Sequence, residues 1–148
     1  MKEQGIPVKL DVWQITSEFA IIEQYYDEVT VLFQFWDENK KEVLDKVGRL
    51  FFSGVWTMRY SRFNETRYYP NEIDHEFRSC YLIVKNSKWL NSLKRERRKR
   101  DKDWRKYDKR KYKHFVVNNN AYYVEIIAPK VKFDIIDKSE YLRRRWDE

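Results

Sequence analysis

Hydrophobic and polar residues alternate along several short stretches of the chain, which is the pattern of half-buried strands. Residues 8–12 read VKLDV, and residues 29–36 read VTVLFQFW, which is rich in the β-branched and aromatic side chains that strands favour. Other stretches share this character. We predict strands at 8–12, 29–36, 55–63, 77–85, 114–117, 122–128 and 131–135.

The strand at 29–36 indicates where the core should lie. Its odd-numbered residues point to one face, because side chains alternate along a strand. We expect that face to be buried against hydrophobic residues of later strands. The expected core residues are Val29, Val31, Phe33, Phe35, Ile83, Val124 and Phe133.

Helical signals are fewer. Hydrophobic residues at 43–51 follow helical spacing, although Gly48 weakens the pattern. Residues 17–26 fit either a short helix capped by Ser17 or an extended segment. Asn86 or Ser87 can cap a helix beginning at Lys88, because either side-chain oxygen can accept a backbone N–H. A short helix can also follow Ser139.

The order of these elements predicts an α+β fold in a single domain at 1–148. Short connections favour a mainly antiparallel curved sheet or an incomplete barrel, with two to four helices. Three consecutive asparagines at 118–120 fit a hairpin turn, because asparagine tolerates the left-handed backbone conformation. No internal repeat or domain boundary is evident.

Composition excludes several classes of protein. The 26 aromatic residues indicate a folded chain, and only three glycines leave no Gly-rich loop for a nucleotide phosphate. One cysteine cannot form an intrachain disulfide, and we find neither a signal peptide nor a membrane span. We therefore expect a cytoplasmic protein.

Positive charge is concentrated in one segment. Residues Lys94–Lys113 hold 13 basic and four acidic residues, whereas the remainder has 18 basic and 20 acidic residues. Residues 94–103 include no hydrophobic side chain, so they cannot lie against a core. We expect a highly basic helix or mobile segment at about 87–113, with a solvent-exposed excursion at 94–113.

Clustered positive charge attracts polyanions. We expect a non-enzymatic binding protein that engages an acidic partner, either nucleic acid or protein, through this segment. Arginine and lysine would contact phosphates, while Trp104 and Tyr107 would stack on bases. The polyanion-binding candidates are Arg95, Arg97, Arg98, Arg100, Trp104, Arg105, Lys106 and Tyr107.

A second candidate surface combines arginine with tyrosine, two residue types that are enriched at protein interfaces. These interface candidates are Arg59, Tyr60, Arg62, Arg67, Tyr68 and Tyr69. The alternative is an edge strand whose aromatic side chains pack on their neighbours while the arginines extend over them.

The residues favour neither catalysis nor metal binding. His75 and His114 have no His or Cys at ligand spacing, and no third residue can be assigned to orient a Cys80–His75 pair. We expect no cofactor and no metal. An alternative function is a small-molecule-binding domain with an aromatic-lined pocket, the basic segment serving only solubility, although the sequence shows no polar constellation to specify a ligand.

Overall fold

The computed structural model describes residues 2–17, 20–62, 68, 81–119 and 122–139. In this part of the chain there are eleven strands and two helices, α1 (Lys88–Arg100) and α2 (Trp104–Tyr107). The strands are β1 (Gln4–Pro7), β2 (Trp13–Gln14), β3 (Ile21–Tyr25), β4 (Glu28–Phe33), β5 (Phe35–Trp36), β6 (Lys46–Ser53), β7 (Thr57–Ser61), β8 (Tyr81–Lys85), β9 (Lys113–Asn118), β10 (Tyr123–Ala128) and β11 (Lys130–Asp137).

These strands form three open antiparallel sheets. One has five strands in the order β1-β8-β9-β10-β7, and another has four in the order β11-β6-β4-β3. Strands β2 and β5 form a two-stranded sheet. The antiparallel α+β prediction is confirmed, but separate open sheets replace the expected single curved sheet or incomplete barrel.

The main core lies between the two larger sheets. Phe52 of β6 packs against Phe115 of β9 and Tyr81 of β8, with ring centroids 5.2 Å and 6.5 Å apart. The predicted core face at 29–36 is confirmed, because Val29, Val31, Phe33 and Phe35 are all buried. A short break at Gln34 divides that stretch into β4 and β5.

Both helices cover the opposite face of the five-stranded sheet. Along β9 and β10, Phe115 and Ile126 belong to the core between the sheets. On the other side, Ile127 packs with Leu90 of α1 and Trp104 of α2. The central strands β9 and β10 are therefore buried on both faces, and α1 forms an outer layer over them.

The helix predicted at 43–51 is wrong, since β6 occupies most of that range. Gly48 explains the difference. A Cβ atom at Gly48 would lie 2.6 Å from the ring of Phe33, so the glycine makes room for a core aromatic residue on the neighbouring strand. The helical spacing of hydrophobic residues here was a coincidence within a two-sided strand.

The strand predicted at 8–12 is also wrong. Strand β1 ends at Pro7, and only Val8 extends the pairing, through its N–H to the carbonyl of Tyr81 at 2.9 Å. Leu10 and Val12 are buried without belonging to a strand. The alternation of hydrophobic and polar residues here reflects which side chains are buried. A side chain can be buried without its backbone pairing with a neighbouring strand.

Several other predictions can be compared with the structure. Residues 21–25 of the ambiguous 17–26 stretch are extended, and the helix beginning at Lys88 is confirmed, with Ser87 as its N-cap. Strands β7 to β11 fall within or beside the predicted ranges. Residues 77–80, which contain Cys80, lie outside the described residues, as do His75 and the predicted helix beyond Ser139.

Candidate functional site

Helix α1 is oriented by its N-terminal end. The Ser87 hydroxyl accepts the N–H of Leu90 at 3.0 Å, which satisfies one of the unpaired donors of the first turn. Leu90 and Leu93 then pack inward with Trp104 and Tyr112. The rest of the helix, from Lys94, holds no hydrophobic residue; apart from the partly buried Lys94 and Arg97, its charged side chains project toward solvent.

Basic side chains gather on the outward side of α1. Arg95, Arg98 and Lys99 lie three and four residues apart and so share one side of α1. Together with Lys102, which follows the end of the helix, they line one shallow surface depression. We call these four residues the cationic face. Within the described part of the chain, only Lys99 among them has an ion-pair partner, Glu96 at 3.5 Å, and that pair is exposed.

The other basic candidates differ in whether their side chains already have a hydrogen-bond or ion-pair partner. Arg100 ends α1 and is exposed. Lys106 forms an exposed ion pair with Asp103 at 3.5 Å. Arg105 donates to the carbonyl of Arg110 at 2.7 Å. These side chains can add to a positive surface without belonging to the cationic face.

The structure does not support stacking by Trp104. Its side chain is only 2% exposed and packs beside Trp56, with ring centroids 5.9 Å apart. The guanidiniums of Arg97 and Arg105 lie 4.4 Å and 4.2 Å from its ring. Trp104 therefore anchors α2 to the body, and its assignment as a base-stacking residue is corrected. Tyr107 is 68% exposed, with its hydroxyl bonded to Asp101.

Asp108 is the reason that Arg97 does not join the cationic face. The buried carboxylate binds Arg97 and Arg110, each at 2.9 Å, and accepts the hydroxyl of Tyr112 at 2.6 Å. Burial alone would raise the pKa of Asp108, but the hydrogen bonds from Arg110, Tyr112 and Arg97 hold it well below its usual range. Asp108 is thus ionised and binds two guanidiniums internally.

Beside Asp108 lies a cleft of about 460 Å³, which we call the aromatic cleft. Its aromatic lining consists of Tyr26, Trp56 and Tyr112. Its charged lining consists of Asp27, Arg97, Asp108 and Arg110. The volume lies within the usual range for small-molecule sites. Sequence reasoning did not find these polar groups, because they come from separate elements.

The arginine–tyrosine stretch does not form one surface. Arg59 binds Glu125 and stacks 3.9 Å from the ring centre of Trp89, while Tyr68 is only 2% exposed. Tyr60 is 55% exposed and packs on Tyr122. Arg62 is exposed at the end of this stretch. Arg67 and Tyr69 lie outside the described residues.

Arg59 and Tyr68 instead complete a buried polar network. His114 Nε2 lies 2.8 Å from Glu125 Oε1, and His114 Nδ1 lies 2.7 Å from Ser87 Oγ. Arg59 donates to both carboxylate oxygens of Glu125 and contacts the Tyr68 hydroxyl at 3.3 Å. The network connects the start of α1 to β7, β9 and β10.

The protonation of this network follows from its charges. Burial raises the pKa of Glu125, but the hydrogen bonds from His114 and Arg59 lower it to about 2. An ionised Glu125 can only accept, so His114 Nε2 donates to it, while His114 Nδ1 and the Ser87 hydroxyl share a second hydrogen bond. Although this order resembles a Ser-His-acid triad, Ser87 is 5% exposed and its oxygen already caps α1. We interpret the network as a support for the helix.

The described residues offer neither a metal site nor a membrane-spanning helix. Over the described ranges there is no group of three or more His, Cys, Asp or Glu side chains that could hold a metal ion. None of the helices in the same part of the chain has the length and apolar character needed to cross a membrane. Compared with protein-family models, curated proteins and solved structures, the chain gave no significant match to any of them.

Proposed function

We propose that the protein binds nucleic acid by its phosphate backbone, using the cationic face of α1. The observation that carries this proposal is a row of four exposed cations, three on α1 and Lys102 just past its end, on the side opposite to the one that packs on the sheet. The helical part of the row, from Arg95 to Lys99, spans about 6 Å at the rise of an α-helix, and Lys102 extends the row past the end of the helix. A nucleic-acid strand presents roughly one phosphate per 3.4 Å, so several phosphates would face the row.

A nucleic-acid partner fits this surface better than an acidic protein does. Stable protein interfaces usually have an apolar centre surrounded by polar residues. Residues 94–103 contain no hydrophobic side chain that could serve as such a centre. Phosphate binding needs none, because its free energy comes largely from releasing counterions.

The cationic face also differs from a general device for solubility. Outside Lys94–Lys113 the formal charge is −2, so the net attraction for an anion comes from this one segment. The packing of Leu90 and Trp104 holds that segment in a constant orientation. Charge that serves only solubility has no need of either property.

The burial of Trp104 removes the reason to expect that single strands bind more tightly than duplexes. With Trp104 buried, the cationic face itself offers no ring for an unpaired base. Binding by this face should therefore depend on phosphate number and salt, with little preference between duplex and single strand.

The test replaces Arg95, Arg98 and Lys102 by glutamine, which preserves helix propensity at the two helical positions. A matched control replaces Lys41, Lys130 and Lys132 by glutamine as well, and these lysines are exposed on other parts of the described structure. Each triple variant lowers the formal net charge from +7 by three. Binding to labelled duplex and single-stranded oligonucleotides is measured by fluorescence anisotropy from ~50 mM salt upward.

We expect the α1 variant to lose most of its affinity while its circular dichroism spectrum is unchanged. The slope of log affinity against log salt should flatten by about 2 to 3 units, at roughly 0.7 to 0.9 per phosphate. The control should keep its slope. Absence of binding by the unmodified protein, or equal losses in both variants, would overturn the proposal and leave an acidic protein as the better candidate partner.

A further inference from the structure

The aromatic cleft has charged groups that the protein itself already satisfies. Asp108 Oδ1 accepts from Arg110, and Asp108 Oδ2 accepts from Arg97 and Tyr112. Both oxygens are therefore engaged, and the Tyr112 hydroxyl already uses its O–H to donate to Asp108. These groups form the wall of the cleft and are not free to recognise a ligand.

Two other charged groups remain free. Arg110 uses Nε for Asp108, and neither of its Nη atoms has a hydrogen-bond partner among the described residues. The carboxylate of Asp27 likewise has no hydrogen bond or ion pair in that part of the chain, although Asp27 lines the same cleft. Arg110 also lies against backbone, since a Cβ at Gly54 would be 3.3 Å from its Nη1.

Asp27 and Arg110 lie close enough for their opposite charges to attract each other. The hydrogen bond to Asp108 is the main cause of the raised pKa of Arg110, and the negative charge of Asp27 contributes to it. The backbone fixes the position of Asp27, whose carbonyl accepts the N–H of Val55 at 2.8 Å. The Nη donors of Arg110 and the carboxylate acceptors of Asp27 thus line one cleft without being hydrogen-bonded to each other.

An exposed ring stands at the edge of the cleft. Tyr26 is 87% exposed and has φ of 55°, a left-handed backbone conformation that is unfavourable for a tyrosine. Glycine or asparagine would suit this hairpin position better. A bulky aromatic residue in a strained backbone conformation indicates that its side chain has a functional role. Half-buried Trp56 also lines the cleft, with its ring packed on Tyr112 and 5.0 Å from the Arg97 guanidinium.

We propose that the aromatic cleft binds a guanine base, with Tyr26 and Trp56 stacking on the ring, Asp27 accepting its N1–H and N2–H donors, and Arg110 donating to O6 or N7. A carboxylate accepts but cannot donate, and a guanidinium donates but cannot accept. Guanine alone among the common bases offers two adjacent N–H donors on one edge together with two acceptors on another. Proteins commonly read unpaired bases by such edges and by aromatic stacking.

The base could come from single-stranded nucleic acid or from a free guanine nucleotide. The first source rests on the proposed function, since Arg97 of α1 lines the cleft and Arg98 of the cationic face is its neighbour in sequence. A strand could then place its phosphates along α1 and one base in the cleft. The second source requires only the cleft.

The experiment compares uridine oligonucleotides that carry one central guanine, inosine, adenine or cytosine. Inosine lacks only the N2 amino group of guanine. Asp27→Asn and Tyr26→Ala remove the proposed contacts. Glu28→Gln and Tyr25→Ala are matched controls, because each is an exposed neighbour that does not line the cleft. Guanosine monophosphate is titrated separately by calorimetry.

We expect guanine to bind roughly ten-fold more tightly than inosine, and Asp27→Asn to remove that difference. Tyr26→Ala should weaken binding of the guanine oligonucleotide by roughly ten-fold or more, while both controls retain it. Binding of the monophosphate without binding of oligonucleotides would support the cleft and refute the proposed function. Salt-dependent oligonucleotide binding with no base preference would overturn the cleft proposal and leave the proposed function standing.

Discussion

Replacing Glu125 by glutamine is the most direct test of the buried network. The change keeps the size of the side chain and leaves an oxygen that can accept the N–H of His114. It removes the negative charge that Arg59 binds and can turn an amide NH₂ group toward the guanidinium. Because the Glu125 side chain is only 2% exposed, water cannot replace the lost partner on the carboxylate side.

The size of the effect follows from the ionisation of Glu125. Its pKa falls from an ordinary 4.5 to about 2 in the folded protein. At 1.36 kcal/mol per pKa unit, the folded network favours the ionised form by roughly 3 kcal/mol. Glutamine retains one hydrogen bond, and the partly exposed Arg59 regains some hydration. We therefore expect the variant to lose about 2 to 3 kcal/mol in the free energy of unfolding at neutral pH.

The dependence on pH has a defined sign. A carboxyl group with a lowered pKa in the folded state contributes stability that is fully present above its unfolded pKa. That contribution is lost as pH falls from 4.5 toward 2. The difference in stability between the unmodified protein and Glu125→Gln should therefore be largest near neutral pH and should shrink across this interval.

Urea denaturation followed by tryptophan fluorescence at several pH values measures the difference. Glu28→Gln is the control, because Glu28 is exposed on β4 and should change stability by less than about 0.5 kcal/mol. The reasoning about the network would be refuted by a loss below about 1 kcal/mol at neutral pH, or by a difference that stays constant down to pH 2.

Three further substitutions test single contacts. Trp104→Ala should cost about 3–5 kcal/mol in urea denaturation, because it removes a buried ring between α2 and the body; a nearly neutral result would contradict its role as an anchor. Gly48→Ala should cost about 1–3 kcal/mol, since the new methyl group would meet the Phe33 ring at 2.6 Å, and an unchanged unfolding midpoint would contradict that contact. Tyr26→Gly should raise the free energy of unfolding by about 1 kcal/mol by relieving the left-handed backbone, whereas a loss of stability would show that the ring supports the fold.

Local signals explain the parts of the fold that the sequence predicted well. Residues 29–36 combine strand-forming residues with strict alternation, and their odd-numbered side chains do lie in the core. Ser87 carries the hydroxyl that a helix start requires, and it caps α1. Both features act within a few residues, so neighbouring residues are enough to determine them.

The incorrect predictions arose where distant residues decide the structure. Gly48 fits a strand because Phe33 of another strand occupies the space beside it. Asp108 is one acid within a basic segment, and its partner Arg97 becomes its neighbour only because the chain turns between α1 and α2. Nothing in the local pattern distinguishes Asp108 from Asp101 or Asp103, which are more exposed.

The network around Glu125 did leave a readable signal. The β9–β10 hairpin was predictable, and alternation places Phe115 and Ile126 on the face toward the four-stranded sheet. The same alternation places His114 and Glu125 together on the opposite face. An acid within the hydrophobic stretch VEIIA, beside a histidine on the partner strand, indicates a buried pair. Sequence reasoning considered His114 only as a metal ligand and so missed it.

Two buried carboxylates determine which arginines can act on a partner. Asp108 binds Arg97 and Arg110, and Glu125 binds Arg59, so three guanidiniums already have part of their donors engaged by carboxylates of the protein itself. The formal charge of Lys94–Lys113 therefore overstates what an external polyanion would meet. What remains for a partner is the cationic face, the exposed Arg100, Arg105 and Lys106, and the free Nη donors of Arg110. If this division is correct, neutralising Arg97 should act mainly on stability, whereas neutralising Arg98, one residue further along the same helix, should act mainly on binding.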